Sequence, residues 1–232
     1  MSRTSSGPLP DAQRRIRRNP WLFTAPLVLL CVLSAVLVWE VVRGNMSEAA
    51  RAHWPWRLQL MSEEPLASLL AVSVGAVLAR AQYARTVRPV LGWRSEYVAG
   101  LLPGQGKDWE VGVINGGQHN VALVRVDYHL VPASAADAEV EWLSLGTVGD
   151  RLAAAGLQAA VDFRLIAFGP GFPLVATGTY ETVTVGVFSK RFIDEVAELH
   201  MRLRVTDSVG DTHERIVRCL RGAREAVVAP VE

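Results

Sequence analysis

The 232-residue chain predicts a membrane-embedded helical hairpin followed by an all-β sandwich domain. Three observations carry that fold class. Trp21 to Trp39 is uncharged throughout, a second apolar stretch follows Ser62, and about seven short alternating segments follow residue 107. Charge divides at the same boundary. Residues 1–89 hold 11 arginines against five carboxylates, a net of +6, whereas residues 90–232 hold 13 basic and 18 acidic groups, a net of −5. Asymmetry of this kind points to two environments.

Residues 1–20 read as a flexible basic tail, because Arg14-Arg15-Ile16-Arg17-Arg18 shows no apolar period. The first span is expected over 21–42. Its nineteen-residue uncharged core covers ~28 Å, close to a bilayer's hydrocarbon thickness. A cleaved signal peptide would have a shorter apolar run ending in small residues, and this run ends in Val38-Trp39-Glu40. Leu30 is too bulky for a lipoprotein cleavage box, so Cys31 reads as a small packing residue.

A short external loop, 43–62, leads to a second span over 63–84. Ala67, Ala71, Gly75 and Ala79 recur every four residues and line one helix face. Small residues at that spacing allow close helix packing in lipid, either on Cys31, Ser34 and Ala35 of the first span or on a second copy. Trp21, Trp39, Trp54, Trp56, Arg80 and Tyr83 are the expected anchors at the water–lipid interfaces. Nine arginines flank the outer ends of the two spans and three lie in the loop. That bias predicts both termini in the cytoplasm of a multi-pass inner-membrane protein.

Residues 85–107 read as a Pro- and Gly-containing connector, and 108–222 as a cytoplasmic domain before a tail at 223–232. Strands are expected over 109–115, 121–131, 140–145, 160–168, 181–188, 201–206 and 213–220. In the second of these, Ala122, Val124, Val126, Tyr128 and Leu130 share one face, while Arg125, Asp127 and His129 occupy a solvated one. Asn115-Gly116-Gly117 and Asp207 to Asp211 are turn signals, with Asn115, Gly117, Asp207 and Gly210 as their structural residues. Short helices are expected over 150–155 and, capped by Ser189, over 190–199. Seven short strands in this length fit an immunoglobulin-like sandwich.

The order of two spans, a strand ending in Asn115-Gly116-Gly117, a Tyr-bearing strand and the late Arg204 to Asp211 segment resembles uncharacterised bacterial two-span membrane proteins with a cytoplasmic sandwich. The likeness covers roughly residues 20–220. His119-Asn120-Val121 stands where those proteins show Gly-Pro-Ala. The resemblance implies location but no activity.

Chemistry is sparse. Gly104-Gln105-Gly106-Lys107-Asp108 lacks the leading Gly and the trailing Ser or Thr of a phosphate-binding loop. Gly169-Pro170-Gly171 has no dinucleotide-binding context, and Ser144 and Ser189 sit in no nucleophile elbow. His53, His119, His129, His200 and His213 form no metal-ligand spacing. No cofactor, metal or nucleic acid is expected. The leading expectation is a non-enzymatic, membrane-tethered interaction module in contact with lipid and with a protein partner or a second copy. An assembly or accessory subunit of a transport or envelope complex, acting through its hairpin, is the alternative. An enzyme using Asp127 and His129 comes third.

Overall fold

Two long apolar runs form two long helices. The computed structural model describes residues 12–17, 20–104, 106–133, 139–176 and 181–226. A short strand, β1 (Arg14–Arg17), precedes α1 (Pro20–Gly44); α2 (Glu48–Arg51) and α3 (Glu63–Thr86) follow. Helices α1 and α3, of 25 and 24 residues, are each long and apolar enough to cross a membrane. Their outer faces expose large apolar side chains, including Val28, Val38, Val72 and Leu78, a surface suited to hydrocarbon.

The expected contact between the spans is not formed by the small residues. Leu66 and Ser73 are buried and Leu70 and Val77 half-buried, so these form the inward face of α3. Ala67, Ala71, Gly75 and Ala79 are all exposed, and a Cβ added at Gly75 would meet nothing within 4 Å. Cys31, Ser34 and Ala35 are likewise exposed; Leu33 and Glu40 face inward from α1. The inward face thus mixes large side chains with the small Ser73, and Leu69, Val72, Val74 and Leu78 point outward.

The loop between the spans hangs from the end of α1. Glu40 Oε1 accepts from the Leu60 and Met61 amides at 2.6 and 3.3 Å, and its other oxygen pairs with Arg43 at 3.1 Å. Arg43 Nε donates to Trp56 O, Trp39 Nε1 donates to Leu58 O, and the Trp39 and Trp56 rings stack 4.6 Å apart. Trp39 and Trp56 thus pair with each other, whereas Trp21 and Trp54 are each 81% exposed. Replacing Glu40 by Ala removes both carboxylate anchors. Hydrogen exchange at Leu60 and Met61 is expected to rise about tenfold or more, read by mass spectrometry.

From Leu91 onward the chain is β-rich: β2 (Leu91–Ala99), β3 (Lys107–Asn115), β4 (Val121–Pro132), α4 (Leu145–Ala154), β5 (Phe163–Leu165), β6 (Pro173–Leu174), β7 (Val183–Phe188), α5 (Lys190–Glu195), β8 (Val196–Thr206), β9 (Thr212–Arg218) and α6 (Ala223–Ala226). Among the described residues the nine strands make two antiparallel sheets, ordered β1-β9-β8-β4-β6 and β2-β3-β7-β5. One core joins them, with Trp109, Val111, Val113 and Phe188 from the smaller sheet and Leu123, Tyr128, Met201, Leu203 and Val217 from the larger. Two compact units result: Arg18–Thr86, and Met1–Arg17 together with Val87–Glu232.

Several boundaries differ from expectation. The 85–107 connector contains β2, whose Trp93 and Tyr97 pack on the core. In 140–145 only Leu143 pairs, bridging Tyr128, before Ser144 caps α4. The Ser189-capped helix stops at Glu195, and Val196 and Leu199 of its apolar stripe lie instead in β8. A bulge between Leu123 and Arg125 also shifts the phase of β4. Val121 and Leu123 are buried and Ala122 and Val124 exposed, the reverse of the uniform alternation expected there.

Candidate functional site

The outward face of the larger sheet carries most of the domain's ionic chemistry. Cross-strand pairing sets Arg125 opposite Arg204, Asp127 opposite Arg202 and His129 opposite His200. The next strand places Glu214 beside Arg204 and Arg218 beside His200. This face was expected to be solvated, yet Asp127 is 1% and His129 4% exposed. The 139–144 segment and the long arginine side chains cover it. Arg202 lies 4.3 Å over the Trp142 ring, and His129 Nδ1 is 3.1 Å from Glu141 O.

Two carboxylates organise the arginines. Asp127 accepts from Arg125 at 2.6 Å and from Arg202 at 2.6 and 3.2 Å. Glu214 accepts from Arg204 at 2.9 Å and from Arg14 at 2.9 and 2.6 Å. Burial alone would raise both carboxyls; the guanidinium hydrogen bonds and charges outweigh it and hold each below the usual carboxylate range.

Arg14 belongs to β1, so the stretch expected to be a flexible tail is an edge strand. It pairs antiparallel with β9, setting Arg14 opposite Glu214, Arg15 opposite His213 and Arg17 opposite Thr212. Arg15 reaches Asp211 at 3.3 Å. One residue earlier, the Gln13 side chain donates to Pro89 O at 2.7 Å and accepts from the Leu91 amide at 2.8 Å. All four β1 residues are exposed. With the Arg14 side chain 61% exposed, its ion pair contributes ~1 kcal/mol or less. Main-chain pairing and polar side chains therefore hold β1, with no buried apolar anchor.

The Asp207 turn closes the β8–β9 hairpin next to this edge. Asp207 Oδ1 accepts from the Val209 and Asp211 amides at 3.0 and 2.9 Å, and its other oxygen takes His213 Nε2 at 2.9 Å. Gly210 sits at φ +81°, in the left-handed region glycine tolerates best. At the smaller sheet, Asn115 Oδ1 accepts from the Gly117 amide while Nδ2 donates to His119 O and Leu174 O. Asn115 thus joins its turn to β6.

His200 is buried between sheet strands, 2.7 Å from Glu198. Burial, His129 and Arg218 push its pKa below the ordinary 6.5, against the pull of Glu198. The folded domain therefore refuses a proton that the unfolded chain accepts. Stability should decline as pH falls below about 6.5, and His200→Gln should flatten that decline in denaturant titrations.

The remaining motifs are structural. Asp108 accepts from the Leu101 and Leu102 amides, closing the loop that glances at a phosphate-binding motif. Ser144 and Ser189 are helix caps. Cys219 is buried, which pushes its thiol up to about 12, and its carbonyl accepts from Trp109 Nε1 at 2.8 Å. Among the described residues no group of three or more His, Cys, Asp or Glu is placed to hold a metal ion. Comparison with protein-family models, curated proteins and solved structures finds no match to this chain.

Proposed function

We propose that the chain is a membrane-tethered protein-interaction module, with an immunoglobulin-like domain on the cytoplasmic side of a bacterial inner membrane. One observation supports the topology in this reading: residues 14–17, before the hairpin, and residues from Val87 onward, after it, belong to one β unit. A membrane crossed by α1 and crossed back by α3 leaves both ends on one side. The excess of arginines beside those ends favours the cytoplasm. The two sheets over one core support the immunoglobulin-like assignment.

Reporter fusions to each terminus and within the 43–62 loop test the topology. The expected result is cytoplasmic signal at both ends and external signal from the loop; a C-terminal reporter on the external side overturns it.

The exposed small-residue stripe favours a second reading, an assembly subunit acting through its hairpin. Because Ala67, Ala71, Gly75 and Ala79 face away from α1, they are available to another helix. Gly75→Leu should then abolish cross-linking to other membrane proteins without unfolding the β domain. Unchanged cross-linking sinks this reading.

A further inference from the structure

We infer that the open edge of β2 is a homotypic interface, where β2 of a second copy of this chain adds antiparallel about a two-fold axis through Ser95. The inference rests on the interaction-module reading and names its partner.

The edge is long and unblunted. Among the described residues β2 pairs with β3 alone, in unbroken register from Leu91 opposite Asn115 to Ala99 opposite Lys107. The other outermost strands, β1, β5 and β6, have four, three and two residues. The nine residues of β2 include no proline and no bulge, the backbone devices that close an edge to further pairing.

Main-chain groups alternate in direction along the strand. The Gly116 amide donates to Val90 O at 2.8 Å, so even-numbered residues aim their N–H and C=O groups at β3. Odd-numbered residues aim theirs away, and the Leu91 amide accordingly meets the Gln13 side chain instead. Trp93, Ser95 and Tyr97 therefore present their N–H and C=O groups to an incoming strand. Leu91 lies outside that trio, so Gln13 keeps its place and no resident strand has to leave.

Charge selects the occupant and its register. Adding β2 to itself with Ser95 opposite Ser95 sets Arg94 opposite Glu96, twice by symmetry. Trp93 then faces Tyr97 across the seam; both are half-buried against the core and offer an aromatic cross-strand pair. A slip of two residues one way sets Arg94 opposite Arg94, and the other way sets Glu96 opposite Glu96. A slip of one turns the side chains to the wrong face. One register thus satisfies both charges. Their side chains are within reach of it, 52% and 49% exposed and paired now with each other at 3.0 Å on the surface, where exchange of partners costs little.

The test uses the full chain in proteoliposomes, with Cys31→Ser removing the exposed native thiol. Copies carrying Arg94→Cys and differently tagged copies carrying Glu96→Cys should form a mixed disulfide on oxidation about tenfold faster than either variant links to itself. Ser95→Pro sets its ring at the open edge, leaves the bonds to β3 intact and should abolish the mixed product. By energy transfer between copies labelled at the C-terminus, Arg94→Glu alone should weaken self-association about tenfold, and Arg94→Glu with Glu96→Arg should restore it. Restoration by the double exchange separates the interface from any folding defect of the single one. The inference is overturned if each cysteine variant links to itself as readily as to the other, if the Ser95→Pro chain still associates, or if the double exchange restores nothing. Association that persists in Ser95→Pro and is lost in Gly75→Leu would assign the contact to the hairpin and overturn it as well. A chain that stays monomeric while both termini report from one side leaves the topology standing and overturns this inference alone.

Discussion

Asp207→Ala should destabilise the β domain by ~3–4 kcal/mol, lowering its thermal midpoint by roughly 10 °C. Three hydrogen bonds end on this carboxylate, and the side chain is only 1% exposed. Its loss leaves two turn amides and the buried His213 ring without their acceptor, and water cannot replace it without opening the hairpin. Asp207→Asn retains the Oδ1 acceptor for Val209 and Asp211 and preserves the shape of the turn. It should recover more than half of the loss. Thermal unfolding followed by near-ultraviolet absorbance or fluorescence of the domain's tryptophans measures both; equal losses for Ala and Asn would mean that the turn amides contribute little.

Asp127→Ala should cost ~2–3 kcal/mol, less than a fully enclosed ion pair because Arg125 is 60% exposed. The damage falls on Arg202, which is 14% exposed and stacked on Trp142. Without its carboxylate, that guanidinium must either remain under-compensated or leave the ring. The effect depends on pH in a defined direction. Asp127 and Glu214 titrate below their ordinary carboxylate values in the folded state, so their stabilisation is fully present above about pH 4.5 and is lost as pH falls through the depressed values. Asp127→Ala should therefore show its full cost at pH 7 and a progressively smaller one as pH falls below about 4. A cost that is constant across that range would contradict the ion-pair explanation.

The central strands were legible because burial on one face leaves a period of two. Met201, Leu203 and Val205 are buried in alternation with the arginines of β8, as the pattern predicts. Strand β1 left no such trace, since an edge strand with every side chain exposed has no apolar face to display. Its only signal is a complementarity of charge between Arg14 and Glu214, 200 residues apart, which periodicity cannot detect. Strand β2 was hidden differently. Leu91, Trp93, Ser95 and Tyr97 do alternate with Gly92, Arg94 and Glu96, but the prolines and glycines on either side suggested a connector.

The candidate site was half visible. Asp127, His129, Arg202 and Arg204 share a face in the sequence pattern, but that pattern does not show Trp142 lying over Arg202 or the Glu141 carbonyl meeting His129. The orientation of the small-residue stripe had no sequence signal at all. Ala and Gly permit close approach without demanding it, and leucines lie on both sides of α3, with Leu66 inward and Leu69 and Leu78 outward.

The place of β1 in the sheet also sets an order of manufacture. Residues 14–17 leave the ribosome before either apolar helix, whereas the strand they pair with is among the last parts of the described chain to be made. During that interval the basic segment has no sheet to join and the acidic edge does not yet exist. The final seam of the larger sheet therefore closes only after nearly the whole described chain has been made, and it joins the first described strand to the last one synthesised.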